Sequence, residues 1–106
     1  MAWVVLFVAG IFEVVWSYAM KLSDGFSRPV PTAVTFAAMF FSFGLLAYAM
    51  KSLPLGTAYT VWTGIGAVGA FVVGAIVLGE AVTVQRVLAA LLIVAGLVLM
   101  KVATPA

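Results

Sequence analysis

The stretch AWVVLFVAGIFEVVWSYAM, residues 2–20, decides the fold. It is apolar from end to end apart from Glu13 and a few weakly polar side chains. A helix of about 20 residues crosses the roughly 30 Å of hydrocarbon in a bilayer. Three further stretches reach that length: Val30 to Met50, Gly56 to Leu78 and Val84 to Val102. Lipid cannot satisfy backbone polar groups, so apolar stretches this long read as helices. The connectors carry turn chemistry. Ser23-Asp24-Gly25 with Pro29 and Pro31 separates the first two helices, and Pro54 with Gly56 the next two. Gly79 is placed to end the third helix, and Thr83 to cap the fourth. The expected fold is all-α: an integral membrane protein whose residues 1–106 form one domain of four transmembrane helices.

Composition supports this reading. The chain is 67% hydrophobic and 8% charged, against roughly 25% charge in an average soluble domain. Lys21, Arg28, Lys51, Arg86 and Lys101 stand singly against Glu13, Asp24 and Glu80, for a net charge of +2. No basic stripe forms, which argues against nucleic-acid binding. Cysteine and histidine are both absent, which removes disulfides, Cys or His nucleophiles and haem ligation. The scattered carboxylates make a poor metal cage, so neither a metal nor a cofactor is expected. With no nucleophile–base pair, an enzyme is the least fitting class. The first helix is not read as a cleavable signal. It lacks a basic leader, holds Glu13 and is followed by three more apolar stretches.

An even number of spans puts both termini on one face, together with the Lys51 loop. That face carries Lys51 and Lys101, and the other carries Lys21, Arg28 and Arg86. Orientation follows the Lys/Arg asymmetry between faces, and two against three is almost no asymmetry. The chain is therefore expected to insert both ways. Many transporters bind substrate between two inverted repeats. Two halves of two helices each start on the same face, so this chain contains no such repeat. An antiparallel homodimer supplies the missing symmetry, with both Glu13 side chains near its axis.

Glu13 lies about 3 Å from the midpoint of its helix. An ionised side chain at such a depth costs about 2.5–3.5 kcal/mol on the insertion scale, and intramembrane ionisable groups are functional by default. The competing reading, a polar bridge between helices, leaves the cost without a return. A carboxylate in this setting can hold a proton or a cation in turn, as coupled exchange requires. Trp16 and Ser17 share its helical face at i+3 and i+4. Tyr59, Trp62, Thr63 and Gly66 form one face of the third helix. Aromatic faces attract cations, whereas Trp3 fits an ordinary position at the membrane interface. Ser42, midway along the second helix, is placed to bond Glu13 or to back-bond within its own helix.

Gly64-Ile65-Gly66-Ala67-Val68-Gly69 matches a dinucleotide-binding pattern, but no strand precedes it, and the match is rejected. Gly64, Gly66 and Gly69 read instead as close packing and a bend in the third helix. Gly66, Ala70 and Gly74 make a ridge of small residues. The fourth helix has no polar residue between Arg86 and Lys101. Its Ala89, Ile93 and Gly96, at i, i+4 and i+7, read as a dimer contact. Arg86 and Lys101 are expected to snorkel to the two interfaces. Glu80 reads as a loop residue pairing with a nearby cation.

Glu-Val-Val-Trp at 13–16 and Lys-Ser-Leu-Pro-Leu-Gly-Thr-Ala-Tyr-Thr-Val-Trp-Thr-Gly-Ile-Gly at 51–66 resemble the small multidrug resistance family. The likeness covers the whole chain, including Gly-Phe-Ser-Arg at 25–28. It is nearest to the guanidinium-exporter branch, since Trp16 replaces the small residue of the multidrug branch and Lys101 points the same way. The resemblance implies a bacterial inner-membrane antiporter working as an antiparallel dimer, with Glu13 exchanging protons for a guanidinium-like cation. It also implies that Trp16, Ser42, Tyr59 and Trp62 order or surround Glu13, that the fourth helix makes the main dimer contact, and that the third bends at its glycines. Two other readings stay open: a quaternary-ammonium multidrug exporter with the same machinery, and a non-transporting membrane assembly subunit.

Overall fold

A computed structural model describes residues 1–104. It contains four helices: α1 (Ala2–Leu22), α2 (Pro29–Ala49), α3 (Leu55–Ile76) and α4 (Val84–Ala103). Each is long and apolar enough to cross a membrane, and the chain is a multi-pass membrane protein. The glycine-rich stretch from Gly64 to Gly69 lies wholly inside α3, so the dinucleotide pattern has no structural basis.

The ends follow from local chemistry. Pro29 opens α2, where its missing N–H costs nothing. The Thr83 hydroxyl accepts from the Arg86 N–H at 3.1 Å and caps α4 as expected. Between α1 and α2, Asp24, Gly25 and Phe26 all adopt positive φ, at 51°, 70° and 66°. This left-handed turn is closed by the Ser27 N–H donating to the Ser23 carbonyl at 2.9 Å. Ser23 is buried beneath it, donating to the Met20 carbonyl at 2.6 Å and accepting from the Phe26 N–H at 3.0 Å. α3 ends at Ile76, two residues before the expected Leu78. Gly79 takes φ +69°, and the Glu80 N–H folds back to donate to the Gly74 carbonyl at 2.9 Å.

In space the helices run α2, α1, α3, α4. α1 packs on both α2 and α3, whereas α2 barely touches α3, and the backbone of α4 approaches only α3. Consecutive helices are therefore close neighbours at α1/α2 and α3/α4 but not at α2/α3. The reason lies in the α1–α3 seam. A side chain added at Gly10 would overlap Ile65, one at Gly66 would overlap Glu13, and one at Gly69 would overlap Val14. Each large residue sits where its partner helix has no Cβ, which draws the two backbones together and places α1 between α2 and α3.

The densest packing lies at one end of the bundle. Leu6, Ala9, Leu46, Ala49, Leu53, Ala58, Val61 and Trp62 form a contiguous buried cluster near the Lys51 loop. Thr57 and Thr104 share a hydrogen bond of 3.1 Å that ties the start of α3 to the end of α4. The chain is a slab of 43 × 34 × 17 Å. No residue of α4 is buried within it.

Candidate functional site

Glu13 projects from α1 onto the bare backbone of α3 at Gly66. Its Oε1 is buried, and among the described residues no donor reaches it. The indole Nε1 of Trp16, one turn further along α1, is likewise buried without an acceptor. Both residues line a cleft of about 240 Å³ between α1 and α3, completed by Ser17, Thr63, Gly66, Ala67 and Ala70. An acceptor and a donor without hydrogen-bond partners among the described residues thus belong to two residues that line one cleft, and buried polar atoms of that kind call for an explanation.

Ser42 does neither of the two things the sequence suggests. It is fully buried, and its hydroxyl donates to the Ala9 carbonyl of α1 at 2.8 Å. It also accepts from the Trp62 indole N–H at 2.9 Å. A hydroxyl has one proton to give, and this one is committed to α1. Ser42 and Trp62 therefore tie α2 to α1 and α3 beside the cleft, without touching Glu13 in this conformation.

The aromatic residues form a chain. The Trp16 ring meets Phe43 edge-on with centroids 6.4 Å apart, Phe43 meets Trp62 edge-on at 5.7 Å, and Trp62 lies 5.7 Å from Tyr59. Tyr59 is 54% exposed and stands two turns from Gly66, about 10 Å along α3. It lines a larger cleft of about 500 Å³ between α3 and α4. Thr63 and Ala67 border both clefts, so the two lie side by side along α3. The structure brings Glu13 and Trp16 into one cavity and joins Ser42, Trp62 and Tyr59 into a second group alongside.

Gly64, Gly66 and Gly69 lie in an unbroken helix and serve as close-approach positions, Gly64 against Leu97 of α4 and the other two against α1. Ala89, Ile93 and Gly96 are all exposed on α4. At the membrane faces, Lys101 Nζ stands 4.8 Å from the Trp3 ring centre, and the Arg86 guanidinium 5.7 Å from that of Phe71. Both cations end on aromatic faces rather than free in the interface.

A family model described as Small Multidrug Resistance protein matches residues 1–103. The chain belongs to the small multidrug resistance family. It is 53% identical over 104 residues to a guanidinium exporter of Yersinia pestis, covering 98% of this chain and 100% of the relative. It is 51% identical to a guanidinium exporter of Escherichia coli strain K12, over 98% of this chain and 99% of the relative. A guanidinium exporter of Proteus vulgaris is 49% identical over 98% of this chain and 100% of its own length. These relatives carry the name of the branch that Trp16 and Lys101 suggested.

Membership in the small multidrug resistance family makes the protein a transporter rather than an enzyme, seated in the bacterial inner membrane. Phe43, in the aromatic chain, and Thr63, between the two clefts, are not among the residues that the sequence assigned to the site. Phe43, the bridge between Trp16 and Trp62, is indistinguishable in sequence from Phe36, Phe40 and Phe41 on the same helix. Thr63 lies on the face shared by Tyr59 and Gly66, and its signal was its i+4 spacing from Tyr59.

Proposed function

We propose that this chain is a proton-coupled antiporter that exports guanidinium and related small guanidinyl cations from the cytoplasm. It works as an antiparallel homodimer in which Glu13 of both subunits binds protons and cation in exchange. The observation that carries the reading is the pairing of an unpartnered Glu13 Oε1 with an unpartnered Trp16 Nε1 in one intramembrane cleft. Relatives named guanidinium exporters, about half identical along the whole chain, support the choice of cation.

Guanidinium is planar and offers N–H donors in a fork that carboxylates accept two at a time. An indole N–H can only donate, so it serves the carboxylate, and only the ring face is left for a cation. With the Ser42 and Trp62 protons already committed, the buried Trp16 N–H is a donor still free to orient Glu13. Tyr59 supplies an aromatic face on the adjoining cleft, and Trp62 and Phe43 continue the aromatic chain to Trp16. In the cycle, protons on the Glu13 pair leave as the cation binds from the cytoplasm, the two subunits exchange conformations, and protons from outside displace the cation. In an antiparallel pair the inward-open and outward-open states are equivalent. Gly64, Gly66 and Gly69 are the positions at which α3 would bend during that exchange.

Reconstituted protein in liposomes tests this. A pH gradient is expected to drive guanidinium accumulation, and Glu13→Gln to abolish it. A bulky quaternary ammonium has no N–H donors and is expected to be carried poorly. Equal transport of both cations would make the protein a multidrug exporter instead, and transport of neither would leave the assembly-subunit reading.

A further inference from the structure

Glu80 plays no part in the exchange described above, yet its place is built rather than loose. Gly79 turns the chain with φ +69°, and the Glu80 N–H donates to the Gly74 carbonyl at 2.9 Å. The carboxylate then lies on the bare backbone of Gly74, where an added Cβ would overlap it. The Glu80 side chain is exposed, yet these three features fix its position. Glu80 borders a cleft of about 150 Å³ together with Ser17, Tyr18, Lys21, Ala70 and Gly74. Ser17 and Ala70 also border the Glu13 cleft, so the two cavities adjoin. Lys21 is two helical turns from Glu13, which puts the Glu80 cavity about 12 Å away along α1, at the membrane face where α1 and α3 end.

We propose that Glu80, Lys21, Tyr18 and Ser17 form a second, transient site for guanidinium-type cations at the mouth of the path to Glu13. This inference rests on the guanidinium reading above. Glu80 makes no ion pair among the described residues, and the Lys21 ammonium, bordering the same cleft, is the cation that competes for its carboxylate. A guanidinium ion displaces it because its fork meets both carboxylate oxygens at once, whereas an ammonium is a point charge. Ser17 has given its own proton to the Val14 carbonyl at 2.9 Å, so its oxygen is free to accept a guanidinium N–H. The Tyr18 ring offers a cation a face. From there the ion passes Ser17 and Ala70 to reach Glu13.

The test uses full-length protein in liposomes at low ionic strength, with guanidinium as the probe. Glu80→Gln is expected to raise the KM for guanidinium about tenfold, with the loss falling on KM rather than on the saturated rate. Lys21→Gln, which removes the competitor, is expected to lower KM severalfold, and the double variant to behave like Glu80→Gln. A second measurement removes the dependence on transport. In Glu13→Gln protein carrying ¹³C-labelled glutamate, guanidinium is expected to shift the Glu80 carboxyl resonance, and choline to leave it unmoved. A wild-type KM in Glu80→Gln together with an unmoved resonance would overturn the second site while leaving the Glu13 reading intact. A wild-type protein that carries no guanidinium would overturn that reading instead.

Discussion

Ser42 has one hydroxyl proton, and its use by Ala9 fixes what the neighbouring residues can do. Ser42→Ala leaves the buried Trp62 N–H without an acceptor, and an unsatisfied buried donor costs about 1–3 kcal/mol. Unfolding in mixed micelles is expected to show that loss. Combining it with Trp62→Phe is expected to cost clearly less than the sum of the two changes, because the orphaned N–H is then gone. Gly66→Ala puts a methyl group where the Glu13 carboxylate lies. The side chain must swing aside, and guanidinium transport is expected to fall at least about tenfold, or about 1.4 kcal/mol, in protein that still inserts. At this scale the sequence was partly legible. Glu13 stood out because its burial in lipid needs a reason, and Trp16 because it shares its face. The partners of Ser42 were not legible, since a hydroxyl in an apolar helix bonds equally well to its own backbone or across a seam. Only the close packing of α2 on α1 selects Ala9.

The four helices themselves were legible almost to the residue, because length and apolarity leave lipid-embedded backbone no alternative. Their order in space was not, since it depends on which surfaces lack a Cβ. The expectation of a ridge at Gly66, Ala70 and Gly74 named part of the right face of α3. The structure shows Gly66 and Gly69 seating α1, and Gly74 seating Glu80. α4 presents the clearest consequence. None of its residues is buried, and a Cβ added at Gly96 meets nothing within 4 Å. A large side chain there costs the single chain little. Gly96→Leu is therefore expected to leave helix content and insertion unchanged but to abolish dimer cross-linking in liposomes. Intact cross-linking in that variant would place the dimer contact on another helix.

For the whole molecule, the balance of Lys51 and Lys101 against Lys21, Arg28 and Arg86 governs orientation. Lys51→Gln with Lys101→Gln removes all Lys and Arg from the terminal face, and reporter fusions are expected to show one orientation. Transport should then be lost, and regained when the variant is co-expressed with an Arg28→Gln, Arg86→Gln chain biased the other way. The slab shape, with its larger cleft between α3 and α4, is what a half-site of the proposed dimer is expected to look like. In the proposed exchange cation and proton compete for Glu13, and purified protein in weakly buffered detergent tests that competition most directly. Adding guanidinium to the protonated wild type is expected to release protons into solution, and adding it to Glu13→Gln to release none. Equal release from the two proteins, or calorimetric binding of guanidinium with no release from the wild type, would contradict it.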